Sequence, residues 1–315
     1  MISQETINEA HDRIRSFIHR TPVLTCQTIN DRAGADLYFK CENFQKIGAF
    51  KARGGLNAVL QVAHNQEGSA ITTHSSGNHA QAVAFAARQV GLPAYIVMPG
   101  TAPQVKKDAV RGYGAEVIEC EPTLEAREQG VRDVITRTGA VLVHPFDDDR
   151  VIAGQATAAK ELIEDYGQET PFDVILAPVG GGGLLSGTAL SAHYFSPQTR
   201  VVAGEPDGAA DAVLSFQSGR VEKAPFVNTI ADGLLTNLSE RTLAIIRDHV
   251  SAILTVSDEE IIAAMRLIWE RMKIIIEPSC AVPLAVVLKY RDQFTGQKVG
   301  IILTGGNVDL GKLPF

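Results

Sequence analysis

Short runs of β-branched and apolar residues alternate along this chain with longer alanine-rich segments whose apolar positions recur three and four apart, and that alternation constrains the fold more than any other feature. The strand candidates fall at 36–42, 70–74, 94–98, 115–120, 140–144, 173–179, 200–204 and 298–303. Each is brief enough for a buried strand. Segments such as 78–90 and 152–166 lie between them and read as helices with one face on a sheet. Parallel strands require crossover connections of this kind, so the expected fold class is α/β, with mostly parallel sheet flanked by helices. No repeat, low-complexity tract or linker marks a boundary. With 315 residues, 45% of them hydrophobic, the chain can bury one large core or two moderate ones.

Charge and cysteine usage remove several classes of function. There are 36 acidic against 29 basic residues, a net charge of −7, and no Lys/Arg-rich block, so nucleic acid would meet no electrostatic footprint. Cys26, Cys41, Cys120 and Cys280 form no CxxC pair, which argues against a zinc site or a disulfide framework and for a reducing, cytoplasmic setting. The chain opens with Gln4, Glu5 and Glu9 rather than a basic then apolar leader, and no apolar stretch of roughly 18 residues occurs. No membrane partner is expected.

Three glycine-bearing turns and one lysine carry the chemistry. Gly180, Gly181, Gly182 and Gly183 follow the strand candidate ending at Val179 and precede a helix expected near Leu184, so backbone N–H groups can converge on a phosphate at a helix N-terminus. Four glycines permit positive φ and close approach, at an entropic cost that an ordinary turn has no reason to bear. A dinucleotide fingerprint is absent, because Ser186 stands at its last glycine position and no acidic residue follows at the required distance. The run Gly306 to Leu313 imitates a Walker A motif, but Leu313 replaces the metal-binding hydroxyl. Ser75-Ser76-Gly77-Asn78-His79 is a second strand-to-helix turn; capping alone would account for it, and its N–H groups would equally suit a substrate carboxylate. Thr304-Gly305-Gly306-Asn307 closes the last apolar strand, and ligands of open α/β sheets gather at such carboxyl ends. Lys51 follows Phe50 at the start of a helical run. Most lysines are solvated, but one that forms a Schiff base must be partly desolvated, and Phe50 offers an apolar wall. A phosphate cradle together with an imine-forming lysine points to pyridoxal phosphate more than to any nucleotide.

Taken jointly, Phe50-Lys51-Ala52-Arg53-Gly54, Ser75 to His79 and Gly180 to Gly183 make the chain resemble, over nearly its whole length, the serine/threonine dehydratase and serine racemase group of fold-type II pyridoxal-phosphate enzymes. The resemblance implies a large domain of residues 1–69 and 147–315, a small domain of 70–146 that closes over an amino-acid substrate, and a homodimer. It implies that Lys51 carries the cofactor and then takes the Cα proton. Phe50, Gly180 to Gly183 and Leu184 would hold the cofactor, Asn78 would touch its ring hydroxyl, and Thr304 would stand beside its pyridine nitrogen. Ser75, Ser76, Gly77, Asn78 and His79 would bind the substrate carboxylate, with Ser76 on the face of Cα opposite Lys51. Arg127 matches an arginine associated with a second carboxylate, and Thr236 falls near a serine close to the substrate hydroxyl. Glu205, the Ala209 carbonyl and Asp211 match the divalent-cation site, for magnesium, manganese or calcium.

The departures are Ala49 for a serine before the Phe-Lys pair and Phe146 for an asparagine lining the racemase site. Gln81, Tyr113, Lys273 and Asn307 match a nucleotide effector site of animal racemases, whereas Cys26, Gln27 and Ile47 replace hydroxyl residues there. The chain ends at Phe315, so the regulatory domain of biosynthetic threonine dehydratases is not expected. The leading expectation is a dehydratase (ammonia-lyase) that eliminates water from 3-hydroxyaspartate, serine or threonine to give a 2-oxo acid and ammonia. The alternative is a racemase with side dehydratase activity.

Overall fold

A computed structural model describes residues 2–315. In chain order the elements are α1 (Gln4–Ile14), β1 (Val23–Leu24), α2 (Gln27–Ala33), β2 (Asp36–Cys41), α3 (Lys51–Asn65), β3 (Ala70–His74), α4 (Asn78–Val90), β4 (Ala94–Pro99), α5 (Gln104–Gly112) and β5 (Glu116–Cys120). They continue with α6 (Leu124–Thr138), β6 (Ala140–Leu142), α7 (Asp149–Tyr166), β7 (Val174–Pro178), α8 (Gly183–Phe195) and β8 (Arg200–Pro206). The last are α9 (Asp211–Ser218), α10 (Glu240–His249), β9 (Ala252–Val256), α11 (Asp258–Met272), α12 (Pro278–Lys289) and β10 (Lys298–Leu303).

The strands form two sheets. One has the order β1-β2-β10-β7-β8-β9, parallel except for the β1–β2 pair, and the other the order β5-β4-β3-β6, parallel throughout. Because parallel strands are buried on both faces, each sheet needs helices on both sides. Alternate residues of β10 accordingly serve two cores: Val299 and Ile301 pack with Met265 and Val282 on one face, while Ile302 packs with Leu162, Leu185 and Ile246 on the other. The four-stranded sheet repeats the plan, with Ile71 and Ile96 against Leu56 and Val83, and Ala70 and Val97 against Val131 and Val134.

Helix α3 sits where the two layers meet. A Cβ on Gly154 of α7 would fall 2.6 Å from the Gly54 Cα, and one on Gly55 would fall 3.0 Å from the Ala82 Cβ of α4. Small residues thus let α3 approach both neighbours closely, and Lys51 is its first residue. The turns singled out in the sequence leave the carboxyl ends of β3, β7 and β10. Two strands, β1 and β9, add to those read from the sequence. The strand expected at 140–144 leaves the regular ladder after Leu142, although the Val143 N–H still donates to the Thr72 carbonyl.

Candidate active site

The first turn of α3 is stitched to the turn after β10. The Phe50 N–H donates to the Thr304 carbonyl at 2.9 Å, Ala49 bridges Gly305, and the Gly306 N–H donates to the Gly48 carbonyl at 3.0 Å. From that turn the Lys51 ammonium donates to the Pro145 carbonyl at 2.7 Å and lies 5.2 Å from the centre of the Phe50 ring. Burial with no carboxylate to offset it pulls the amine down to about 8, so a useful fraction is neutral near physiological pH. Two residues on, Arg53 faces inward and is fully buried. Its guanidinium makes two-pronged contacts with Glu42 (2.7 and 2.8 Å) and with Glu161 (both 2.8 Å), and Lys40 adds 2.7 Å to Glu161. Against the opposing effect of burial, the His11 contact at 3.2 Å and then these cations hold the Glu161 carboxyl far below the usual carboxylate range. The arginine of the lysine motif is therefore an internal lock on α3.

Two helix N-termini follow glycine-bearing turns, those of α4 and α8. Helix α4 has Gly77 as its N-cap, with no side chain capping it, and the Ser75 hydroxyl accepts from the Gly77 N–H at 3.2 Å. The serines do not cap the helix, so its leading N–H groups stay open to an anion. Ser76 makes no hydrogen bond among the described residues, and a Cβ on Gly77 would meet nothing within 4 Å. Helix α8 starts at Gly183, one residue before the expected Leu184, and its N-cap Gly182 has φ +86°. A Cβ on Gly181 would lie 2.2 Å from the Phe146 ring, and one on Gly182 would lie 2.8 Å from the Leu238 and Thr242 side chains. The glycines are needed both for conformation and for room.

Asn78 is held from two sides. Its amide nitrogen donates to Glu277 at 2.9 and 3.3 Å, and its amide oxygen accepts from Asn307 at 2.8 Å. Burial pushes the Glu277 carboxyl up to about 7. Thr304 is buried, with its hydroxyl beside the Cys280 thiol. His79 is buried too; its Nε2 reaches the Val143 carbonyl at 3.0 Å, Nδ1 has no partner, and burial first and the Lys51 charge second hold it well below the ordinary histidine value. Arg127, on α6, reaches only the Thr123 carbonyl, at 3.2 Å, and makes no ion pair among the described residues. It is close enough to His74 to help depress that ring's proton affinity. Thr236 is exposed on the loop before α10 and makes no hydrogen bond among the described residues.

Glu205 and Asp211 lie at the ends of β8 and α9. The Glu205 oxygens accept from the Ala212 and Val213 N–H groups at 2.6 and 2.9 Å, and burial pushes the carboxyl up to about 8. Asp211 is raised to about 6 by burial, and its Oδ2 has no hydrogen-bond partner among the described residues. Among the described residues no group of three or more His, Cys, Asp or Glu side chains is arranged for a metal. A cation here would depend on two carboxylates, the buried Ala209 backbone and water.

The family described as pyridoxal-phosphate dependent enzyme matches residues 14–305. The chain belongs to that family. This pyridoxal-phosphate dependent enzyme is 50% identical to the beta-hydroxyaspartate dehydratase of Paracoccus denitrificans, over 99% of this chain and 98% of the relative. It is 46% identical to the L-threo-3-hydroxyaspartate ammonia-lyase of Saccharomyces cerevisiae, over 96% and 93% of the two chains. The crystal structure of serine racemase from Dictyostelium discoideum superposes with a TM-score of 0.93 at 48% identity, covering 98% of this chain and 99% of that one. The fold is thereby fold-type II, with parallel sheets flanked by helices, as the sequence predicts. No helix of the described residues is long and apolar enough to cross a membrane. Glu277, Pro145 and the His74–His144 pair were not singled out in the sequence. Their one local signal is the glutamate immediately before Pro278 at a helix start.

Proposed function

We propose that this enzyme eliminates water from a 3-hydroxy amino acid, 3-hydroxyaspartate foremost, with serine and threonine as further substrates, and releases a 2-oxo acid and ammonia. The observation that carries the reading is the part-buried Lys51 amine, low in proton affinity, which donates to the Pro145 carbonyl next to Phe146, the ring against Gly181 of the four-glycine turn, and whose charge reaches His79 in the first turn of the uncapped helix α4. That cradle, which leaves no room for a Cβ at Gly181, suits the phosphate of pyridoxal phosphate. When bound, the cofactor supplies an electron sink that acidifies the substrate Cα–H bond.

The chain's own residues divide the remaining work. Lys51 carries the cofactor and removes the Cα proton, Phe50 walls the amine, and Gly180 to Gly183 with Leu184 hold the phosphate. The locked Asn78 amide fixes the ring hydroxyl. Thr304 would offer the cofactor's ring a neutral hydroxyl in place of a carboxylate. The N–H groups of Ser75 to His79 take the α-carboxylate, Arg127 a second carboxylate, and Thr236 the substrate hydroxyl. Glu205, Ala209 and Asp211 hold a divalent cation, magnesium foremost; the unpartnered Asp211 oxygen supports this assignment. Residues 70–146 act as a small domain that closes on the large domain of 1–69 and 147–315, and the active form is a cytoplasmic homodimer. Four free cysteines support that setting.

Serine racemisation is the second reading. It is favoured by Ser76, whose hydroxyl does not cap α4 and makes no hydrogen bond among the described residues. Release of 2-oxo acid and ammonia from the stereoisomers of 3-hydroxyaspartate, serine and threonine, with and without a chelator, tests the dehydratase. D-serine as the dominant product from L-serine would replace it with the racemase. Borohydride reduction followed by peptide mapping is expected to tag Lys51, and a tag elsewhere would remove the whole assignment.

A further inference from the structure

Strands β3 and β6 are parallel neighbours in the register Ala70↔Ala140, Ile71↔Val141, Thr72↔Leu142. Continued two residues past the ladder, that register sets His74 beside His144, and the two rings meet edge to face with centroids 5.6 Å apart. His144 is oriented from its own turn. Its Nδ1 accepts from the Asp147 N–H at 2.9 Å, so the ring is neutral with its proton on Nε2, and it packs on Phe146 at 4.7 Å. His74 has no hydrogen-bond partner on either nitrogen among the described residues, and it immediately precedes the turn of Ser75 and Ser76. The next residue after His144 is Pro145, whose carbonyl holds Lys51.

The charges around this pair are lopsided. His74 faces Arg127 and Glu128 of α6; His144 faces His74, Lys51, Asp147 and Asp148; buried His79 faces Lys51 and both other rings. Each of these acids is near one ring only, whereas basic groups recur at every position. We propose that His74 and His144 form, with Arg127, the subsite for the second carboxylate of a dicarboxylic amino acid, and that the pair gains a proton when that carboxylate binds. The inference rests on the reading of the function given above and names what selects its substrate.

Without a ligand, burial is the first cause that lowers the proton affinity of both rings, with Arg127 adding to it at His74 and His74 and Lys51 adding to it at His144, which falls to about 4. A carboxylate brought against them supplies the missing negative charge and raises their proton affinity. Protonation is therefore linked to binding. Affinity for a dicarboxylate rises as pH falls through the interval between the free and bound values, and it levels off where both forms carry the same protons.

The test is equilibrium binding of succinate to the cofactor-loaded enzyme by calorimetry, in two buffers of different ionisation enthalpy. Binding should tighten roughly tenfold between about pH 8 and about pH 6, with net proton uptake. The variants His74→Gln and His144→Gln should each lose roughly tenfold in affinity at the lower pH, with a flatter pH profile. In turnover, the ratio of kcat/KM for 3-hydroxyaspartate over that for serine should fall by a similar factor, whereas a general structural defect lowers both alike. Succinate binding that ignores pH, matches wild type in both variants or is absent from the wild type would overturn the proposal. A wild type that dehydrates 3-hydroxyaspartate but behaves so keeps its function and loses this subsite. One that binds succinate as expected and releases no 2-oxo acid does the reverse.

Discussion

At the scale of single residues, two chemical demands dominate: one amine must be neutral enough to react, and one turn must have no side chains. Burial lowers the Lys51 value from 10.5 to about 8, so the neutral fraction of the free amine grows as pH passes through that value. Covalent uptake of pyridoxal phosphate by the cofactor-free protein, followed by absorbance, is expected to accelerate from about pH 7 to about pH 9 and then level off. A rate still climbing toward pH 10.5 would mean a solvated lysine. At Gly181 the demand is steric, because a methyl group would overlap the Phe146 ring at 2.2 Å. Gly181→Ala should weaken cofactor retention by roughly tenfold, with part of the loss restored by adding Phe146→Leu, which shortens the obstructing side chain. Equal retention in the single variant would show that the cradle is not where the phosphate rests. Both features were legible in the sequence, since a lysine behind a phenylalanine and four successive glycines are local signals. The partners of these groups were not: Asn78 and Glu277 are 199 positions apart, and no local pattern announces a contact of that range.

At the scale of elements, α3 carries the lysine and is fixed by close helix packing and by buried charge. Because parallel strands buried on both faces have little freedom to be anything but short and apolar, the alternation of runs and helices marked the positions of most strands along the chain, though not their order in the two sheets. It did not give β9, Ala252–Val256, whose five residues lie between two helices with no flanking glycine to set them off. Nor did it give the arginine lock, since Arg53, Glu42, Glu161 and Lys40 read singly as surface charges and become a balanced buried quartet only when β2, α3 and α7 meet. Two positive and two negative charges cancel, so the quartet is tolerable as a whole and not when broken. Arg53→Met leaves two buried carboxylates against a single lysine, and it should cost about 3–5 kcal/mol of unfolding free energy, read from denaturant titrations. Arg53→Lys should not rescue it, because a lysine cannot bridge both carboxylates two-pronged. A loss below about 1 kcal/mol would mean that water reaches this cluster and the lock is weak.

Over the whole molecule, the two layers are joined by groups that cross between them, and the buried Glu277 is one of these. It caps no helix with its side chain; it spans from α12, beside the six-stranded sheet, to Asn78 of α4 and to the Asn307 N–H at 3.2 Å. An exposed pair, Lys106 with Asp232 at 2.8 Å, makes a second crossing, but its solvent exposure limits it to a small contribution. Because burial raises the Glu277 carboxyl from 4.5 to about 7, the folded chain holds a proton that the unfolded chain has already released. The contribution to stability is then fully present below the unfolded value and is lost as pH rises through about 7. A shift of this size bounds the loss at roughly 3 kcal/mol. The cofactor-free protein should accordingly melt at a lower temperature at pH 8 than at pH 5. Glu277→Gln cannot ionise and resembles the protonated form, so it should flatten that decline while leaving the acid limb, governed by the strongly depressed Glu161, unchanged. Parallel melting curves for the two proteins across this range would assign the pH dependence to other groups and leave Glu277 a purely geometric bridge between the sheets.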